Sequence, residues 1–330
     1  MARLFTDGAE MGDTLFWSTP ASVTNVTTSP RSGSRCYQLS ANGGTCSRSF
    51  SPLSEVFGRT AFYVSSAFNS QDNHLIWRSG VVVMGSIRIN TGTAKLEAYV
   101  GASTLVATGV GTLQVNSWYS LEYHIVIGLG GSITCKIDGI TDLTYSGNTI
   151  VSSVSTIDNI GFGKTGTSGS TSRYDDIALN DTTGGVDNSW TGDGKVVMIR
   201  PTAAGDVTQL TPSAGANWEC VDETPPNQTD NVSSATAGQY DLYNCGTITL
   251  AANEVINRIL VTARARENSA TGDSIALGVK TGGTEFFGSN QAVTTVYSYY
   301  AGSDLTTNPD TAAAWAQADI DALQVGVKVI

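Results

Sequence analysis

The chain has 330 residues, enough for two domains at about 100–200 residues each. Hydrophobic residues make up 40% and charged residues 14%, against about 25% charged in an ordinary soluble domain, a balance that excludes disorder. The net charge is −11 and no apolar run reaches about 18 residues, so neither nucleic-acid binding nor membrane insertion is expected.

The charge is uneven. Residues 1–183 carry 11 basic and 13 acidic side chains, a net of −2, and residues 184–330 carry 7 and 16, a net of −9. The first residues lack the apolar stretch of a secretory signal, which predicts either synthesis in the cytoplasm or a processed chain. Next come Cys36 and Cys46, flanking Asn42-Gly43-Gly44. A hairpin centred near residue 41 would face them across a strand pair, and Cys220 and Cys245 are a second candidate pair. Reduced, buried thiols are the competing expectation.

Residues 59–68, 81–90, 118–127 and 133–138 are rich in β-branched and aromatic side chains. Within 118–127, Tyr119, Leu121, Tyr123, Ile125 and Ile127 share one face and Trp118, Ser120, Glu122 and His124 the other, the alternation of a half-buried strand. Glycine turns separate these segments at short intervals, as in an antiparallel sandwich or jelly roll. The small polar run Asp181-Thr182-Thr183-Gly184-Gly185 sets an expected domain boundary at 183/184. Beyond it, strands are predicted at 195–200, 240–250, 255–266, 274–281 and 297–300, and a last one at 325–330. Asn308-Pro309-Asp310 is a turn or N-cap signal before a short helix over 311–323, with Trp315, Ile320 and Leu323 on one face. The expected fold is all-β: two β-sandwich or jelly-roll domains, 1–183 and an acidic 184–330, with at most that one helix.

A catalytic inventory is sparse. His74 and His124 are the only histidines, no Gly-x-Ser-x-Gly elbow occurs, and no strand carries carboxylates at the alternate positions that sugar hydrolysis needs. The sequence reading is therefore no enzyme and no cofactor. Calcium is the one candidate ion: Asp7 and Glu10 near the first strand and Asp176 on the last strand of the first half would meet if the terminal strands are neighbours. The alternative is that Asp176 only ties the two ends of the domain together. Six tryptophans (Trp17, Trp77, Trp118, Trp190, Trp218 and Trp315), with Tyr297, Tyr299 and Tyr300, are candidates for a sugar-stacking platform.

Three stretches carry a resemblance. Phe5-Thr6-Asp7-Gly8-Ala9-Glu10-Met11-Gly12-Asp13 with Trp17 is similar to an opening F-D-x-F-E-x-G segment, with Ala9 in place of the usual aromatic. Trp118-Tyr119-Ser120-Leu121-Glu122-Tyr123, followed by Gly131-Ser132-Ile133 and Ile137-Asp138-Gly139, resembles a central strand pair with its v-D-G turn. Tyr174-Asp175-Asp176-Ile177-Ala178-Leu179 resembles a y-D-D-v-x-l closing strand. Over residues 3–180 the chain thus resembles the concanavalin A-like (laminin G-like) jelly-roll domains, a fold that hosts lectins, hydrolases and adhesive modules. Paired with the second β domain, it resembles bacteriophage virion structural proteins. That resemblance implies a non-enzymatic capsid decoration or a head- or tail-associated protein on the virion surface. It would be made in the host cytoplasm and would partner other virion proteins and copies of itself. The alternative is a carbohydrate-binding adhesin, such as a tail fibre or receptor-binding protein, with a surface glycan as partner.

Overall fold

The computed structural model describes residues 3–40, 42–164, 169–270 and 272–330. The chain divides into two compact units, 1–197 and 198–330. In the first, the β-branched and aromatic segments form β1 (Arg3–Asp7), β2 (Thr24–Val26), β3 (Cys36–Leu39), β4 (Gly44–Leu53), β5 (Glu55–Val64), β6 (Asn73–Ser79) and β7 (Val82–Ile89). After these come β8 (Leu96–Val100), β9 (Thr104–Thr108), β10 (Trp118–Val126), β11 (Gly131–Ile137), β12 (Ile140–Gly147), β13 (Ile157–Lys164) and β14 (Ser172–Asn180). All their pairings are antiparallel. One sheet runs β12-β11-β10-β5-β14-β3-β2 with β1 added on β14, and the other runs β4-β13-β6-β7-β8-β9. This is a jelly-roll sandwich.

The core lies between the two sheets. Tyr37, Phe62, Leu121 and Tyr123 come from the eight-stranded sheet and Leu75, Trp77, Ile87 and Phe162 from the six-stranded one, all at most 2% exposed. Each such side chain contributes about 1.5–3 kcal/mol by leaving water. Phe162 stacks on Tyr174 at 3.9 Å, joining the two layers. Tyr123 lies over its register partner Gly58, where a Cβ would come within 2.2 Å of the phenol, so glycine is required there.

The strand at 118–126 is buried on both sides rather than half-buried: Ser120 and Glu122 are 1% and 2% exposed. Residues 187–196 cross that face, which is why the unit ends at Val197 rather than at residue 183. The expected strand at 195–200 does not form. Cys36 and Cys46 fall in different sheets, on β3 and β4, so no hairpin faces them, and all five cysteines are free thiols.

The second unit is also a β structure. Its strands are β15 (Pro201–Thr208), β16 (Thr211–Pro212), β17 (Val232–Ser233), β18 (Tyr240–Cys245), β19 (Ile259–Ala265) and β20 (Ser274–Thr281). They continue with β21 (Thr284–Phe287), β22 (Gln291–Ala292), β23 (Ser298–Leu305) and β24 (Gln324–Val329). A sheet β15-β18-β24-β20-β21, with β22 on β20, packs against the β19-β23 ribbon through Ile275, Leu277, Val261 and Ala263. The helix is shorter than expected: α1 spans only Gln317–Asp321. Asn308 accepts the backbone N–H of Asp310 and so builds a turn, not the start of a helix. Trp315, Ile320 and Leu323 still enter the core together, and Trp315 donates its Nε1 hydrogen to the Leu305 carbonyl at 2.9 Å.

Candidate functional site

Asp7, Glu10 and Asp176 each take protein donors of their own. Asp7 accepts from the Ala9 amide (2.9 Å), Trp17 Nε1 (2.8 Å) and the Tyr37 hydroxyl (2.7 Å). Burial nevertheless pushes its carboxyl up to about 6. Glu10 accepts from the amides of Ser34 and Arg35 and from the Ser34 hydroxyl. Asp176 accepts from the Arg31 guanidinium (2.8 Å), the Ser32 hydroxyl (2.7 Å) and the Val196 amide (2.7 Å). Ile177, the register partner of Asp7, points into the core, whereas the adjacent Asp176 turns outward to Arg31. The fold therefore does not bring the three carboxylates together. Among the described residues there is no group of three or more His, Cys, Asp or Glu able to hold a metal.

Two sheet faces remain to be considered. On the outer face of the eight-stranded sheet, residues 187–196 form a strap. Arg59 donates to the Gly192 carbonyl at 2.7 Å and to the Asp176 carbonyl at 2.8 Å. The Gly192 amide donates to Glu122 Oε2 at 2.8 Å. Arg31 pairs with Asp193 and donates to the Gly194 carbonyl. Trp190 sets its ring edge-on to Phe57 and His124, with the Lys136 ammonium 3.8 Å from the ring centroid. Beneath the strap, burial and the neighbouring Asp176 carboxylate hold the Asp175 carboxyl well above the usual range. His124 stacks flat on Phe57 and meets Glu55 at 2.7 Å. This face is taken up by the chain itself.

On the outer face of the six-stranded sheet, Ser47, Ile76 and Ser86 are at most 4% exposed, and the polar side chains around them form the outermost layer. The ladder Ser47–Gly161–Ile76–Ser86–Tyr99 runs straight across five strands. Gly161 must be glycine, since a Cβ there would lie 2.1 Å from the Cys46 carbonyl oxygen. Towards β8, Arg88 lies 4.4 Å from the Tyr99 ring centroid and donates to Asn73 Oδ1 and Ser86 Oγ, both at 3.1 Å. Tyr99 and Asn90 both donate to the Glu97 carboxylate, at 2.7 and 2.8 Å. Burial and the Glu97 contact raise the Tyr99 phenol above its ordinary range.

Towards β4 the same face carries a cleft of about 390 Å³, bounded by Ser47, Ser49, Phe50, Arg78, Asp158 and Asn159 among others. Asn159 donates to the hydroxyls of Ser47 (3.0 Å) and Ser49 (3.2 Å), and the Gly80 amide donates to the Asp158 carboxylate. Phe50 and Pro52 supply apolar wall. A surface of hydroxyls, amides and guanidinium beside an apolar edge suits a ligand with many hydroxyl groups.

The sequence-predicted aromatics do not converge on this face. Trp17, Trp77 and Trp315 are core, Trp190 belongs to the strap, and Trp118 packs against Tyr63. Trp218 lies in the turn of 3₁₀ helix Asn217–Cys220, and Tyr297 and Tyr299 pack near Arg264 in the second unit. Sequence reasoning missed Arg78, Arg88, Tyr99 and Asn159. Ser86 and Arg88 on β7 and Glu97 and Tyr99 on β8 alternate with apolar residues, a signal the sequence does carry, whereas Arg78 and Asn159 stand in strands without such alternation and are brought together only by register.

No protein-family profile matches the chain, and no curated protein matches it. Solved structures do. The chain is similar to "Cellulose induced protein, Cip1", at 19% identity over 58% of this chain and 100% of that one, with a TM-score of 0.45. It is similar to an endo-β-1,4-glucuronan lyase from the fungus Trichoderma reesei, at 16% identity over 54% and 95%, TM-score 0.43. A carbohydrate-binding module, CBM66 from Bacillus subtilis, matches at 11% identity over 49% and 98%, TM-score 0.33. These are likenesses of fold, and the class they share with this chain is the β-sandwich. A lyase among them overturns the expectation that the chain is not an enzyme: a missing triad or carboxylate pair does not exclude catalysis on this fold. The likeness assigns no reaction to this chain.

Proposed function

We propose that the first unit is a carbohydrate-binding β-sandwich that takes its ligand on the outer face of the six-stranded sheet. One observation carries the reading: this face holds a cleft of about 390 Å³ bordered by side-chain hydroxyls, an amide and the Arg78 guanidinium. Such groups, fixed by the register of a sheet, match the hydroxyls of a glycan, and the wall at Phe50 and Pro52 matches an apolar sugar face. The test is a glycan array probed with the full chain, repeated with Asn159→Ala and Arg88→Ala. Binding lost in either variant supports the reading, and an array with no bound glycan overturns it.

In this reading the chain works as an adhesin. The setting we favour is the surface of a bacteriophage virion, where copies made in the host cytoplasm assemble with one another and with other virion proteins. What supports that setting is the Gly-, Ser- and Thr-rich, Lys-poor, all-β character of the sequence. Density-gradient sedimentation of native lysate, with mass spectrometry of the particle fraction, tests it. A few copies per particle fit a fibre or receptor-binding tip, about a hundred or more fit a decoration protein by symmetry, and none removes the virion setting.

A further inference from the structure

We infer that the cleft between β4, β13 and β6 selects a sugar bearing a carboxylate, which Arg78 receives. The inference rests on the carbohydrate-binding reading above and adds the charge of the ligand. The first unit contains eight arginines. Seven have a hydrogen-bond partner: Arg3 with Asn180, Arg31 with Asp176, Arg35 with Asn25, Arg48 with the Phe16 carbonyl, Arg59 with the Asp176 carbonyl, Arg88 with Asn73 and Arg173 with Gln38. Among the described residues Arg78 alone of the eight has neither a hydrogen-bond nor an ion-pair partner for its guanidinium. Its burial in the cleft wall lowers its proton affinity, the mark of a charge taken partly out of water without compensation.

The surroundings fix what would compensate it. Arg78 pairs in register with Asn159, and Asn159 with Ser49, so the three lie in one row across adjacent strands. With strands about 4.8 Å apart, the row spans about two sugar rings. The exposed Ser49 hydroxyl then meets a sugar hydroxyl at one end while the guanidinium fork meets a carboxylate at the other. Asp158 also borders the cleft, but its carboxylate is engaged by the Gly80 amide. It acts on an acidic ligand as a repelling charge, so the balance between Arg78 and Asp158 sets the preference.

Calorimetry on the full chain in low-salt buffer, with trigalacturonate and its methyl ester and with 3′-sialyllactose and lactose, tests this. We expect at least one charged member to bind about tenfold tighter than its uncharged counterpart, as a charge-assisted bidentate contact gives. Arg78→Gln should erase that difference, and Asp158→Asn, which keeps an acceptor for Gly80, should widen it about two- to threefold. Equal binding of charged and uncharged members, a difference that survives Arg78→Gln, or no widening in Asp158→Asn overturns the inference. Binding of neutral glycans alone overturns it and leaves the carbohydrate reading standing. If neither these four ligands nor a wider array is bound, the carbohydrate reading fails and this inference with it.

Discussion

The two sheets of the first unit present outer faces built from the same kinds of residue and put to different ends. On the eight-stranded sheet, Arg59 and Glu122 are 5% and 2% exposed, and the strap at 187–196 meets both with backbone groups. On the six-stranded sheet, Arg78 lies in an open cleft. An arginine on a strand is therefore not informative by itself. What matters is whether the chain supplies its counter-group. Where it does, the arginine holds the fold together, and where it does not, as at Arg78, the guanidinium adds no hydrogen bond to the scaffold.

The largest expected effect lies on the covered face. Arg59→Ala takes the donor from the Asp176 and Gly192 carbonyl oxygens beneath and within the strap, so it should cost about 3 kcal/mol. A urea titration followed by tryptophan fluorescence measures this, and a loss no greater than that of Arg78→Ala breaks the comparison. Next is pH. The Asp7 carboxyl sits at about 6 in the folded chain against an ordinary 3.8, so between those values the folded state holds a proton that the unfolded state has released. The contribution of Asp7 to stability therefore falls as pH rises from about 4 to about 6, by up to about 3 kcal/mol, and is level above that. Asp175, whose carboxyl is also raised, adds a slope of the same sign, so Asp7→Asn should reduce the slope in thermal melts across that range, and an unchanged slope would assign it to Asp175 instead.

Smaller effects sharpen the picture. Trp190→Ala removes the cation–π contact with Lys136 and the edge contacts with Phe57 and His124, at about 1–2 kcal/mol. It should also speed hydrogen exchange of the Gly192 amide, which donates to Glu122, while leaving the amides of β7 and β8 unchanged. Smallest of all, Arg78→Ala should shift stability by no more than about 0.5 kcal/mol, because it has no partner to lose. A larger loss would show that the cleft arginine is part of the scaffold.

The sandwich was legible in the sequence because its signal is local. The alternation of Leu121, Tyr123 and Ile125 marks a core-facing strand wherever its neighbours lie, and the glycine turns mark where strands stop. The other face of that strand was misread, because Ser120 and Glu122 look solvent-exposed until a segment some 70 residues later covers them. That segment has no periodicity to announce it: beside the side chains of Trp190 and Asp193, its contacts are made by the Gly192 and Gly194 backbone, which leaves no trace in side-chain pattern. The stretch at 195–200 shows the opposite error. Its apolar run has the composition of a strand and finds no ladder. Cys36 and Cys46 were misplaced for a related reason, since a ten-residue separation fits both a hairpin and a crossover between layers, and only packing decides. The site residues Arg78 and Asn159 become visible as a pair once the register of β6 against β13 is known.

The strap also bears on how such a protein can be recombined. Residues 184–197 read as a joint between two modules, yet their backbone completes the hydrogen bonding of the module before them. An exchange of the second unit with a crossover at 183 would carry the strap away with the incoming partner's junction and leave Arg59 and Glu122 bare on a solvent-facing sheet. A crossover just after Val197 would leave the first unit whole. Module swaps in this lineage should therefore leave their scars at or beyond Met198.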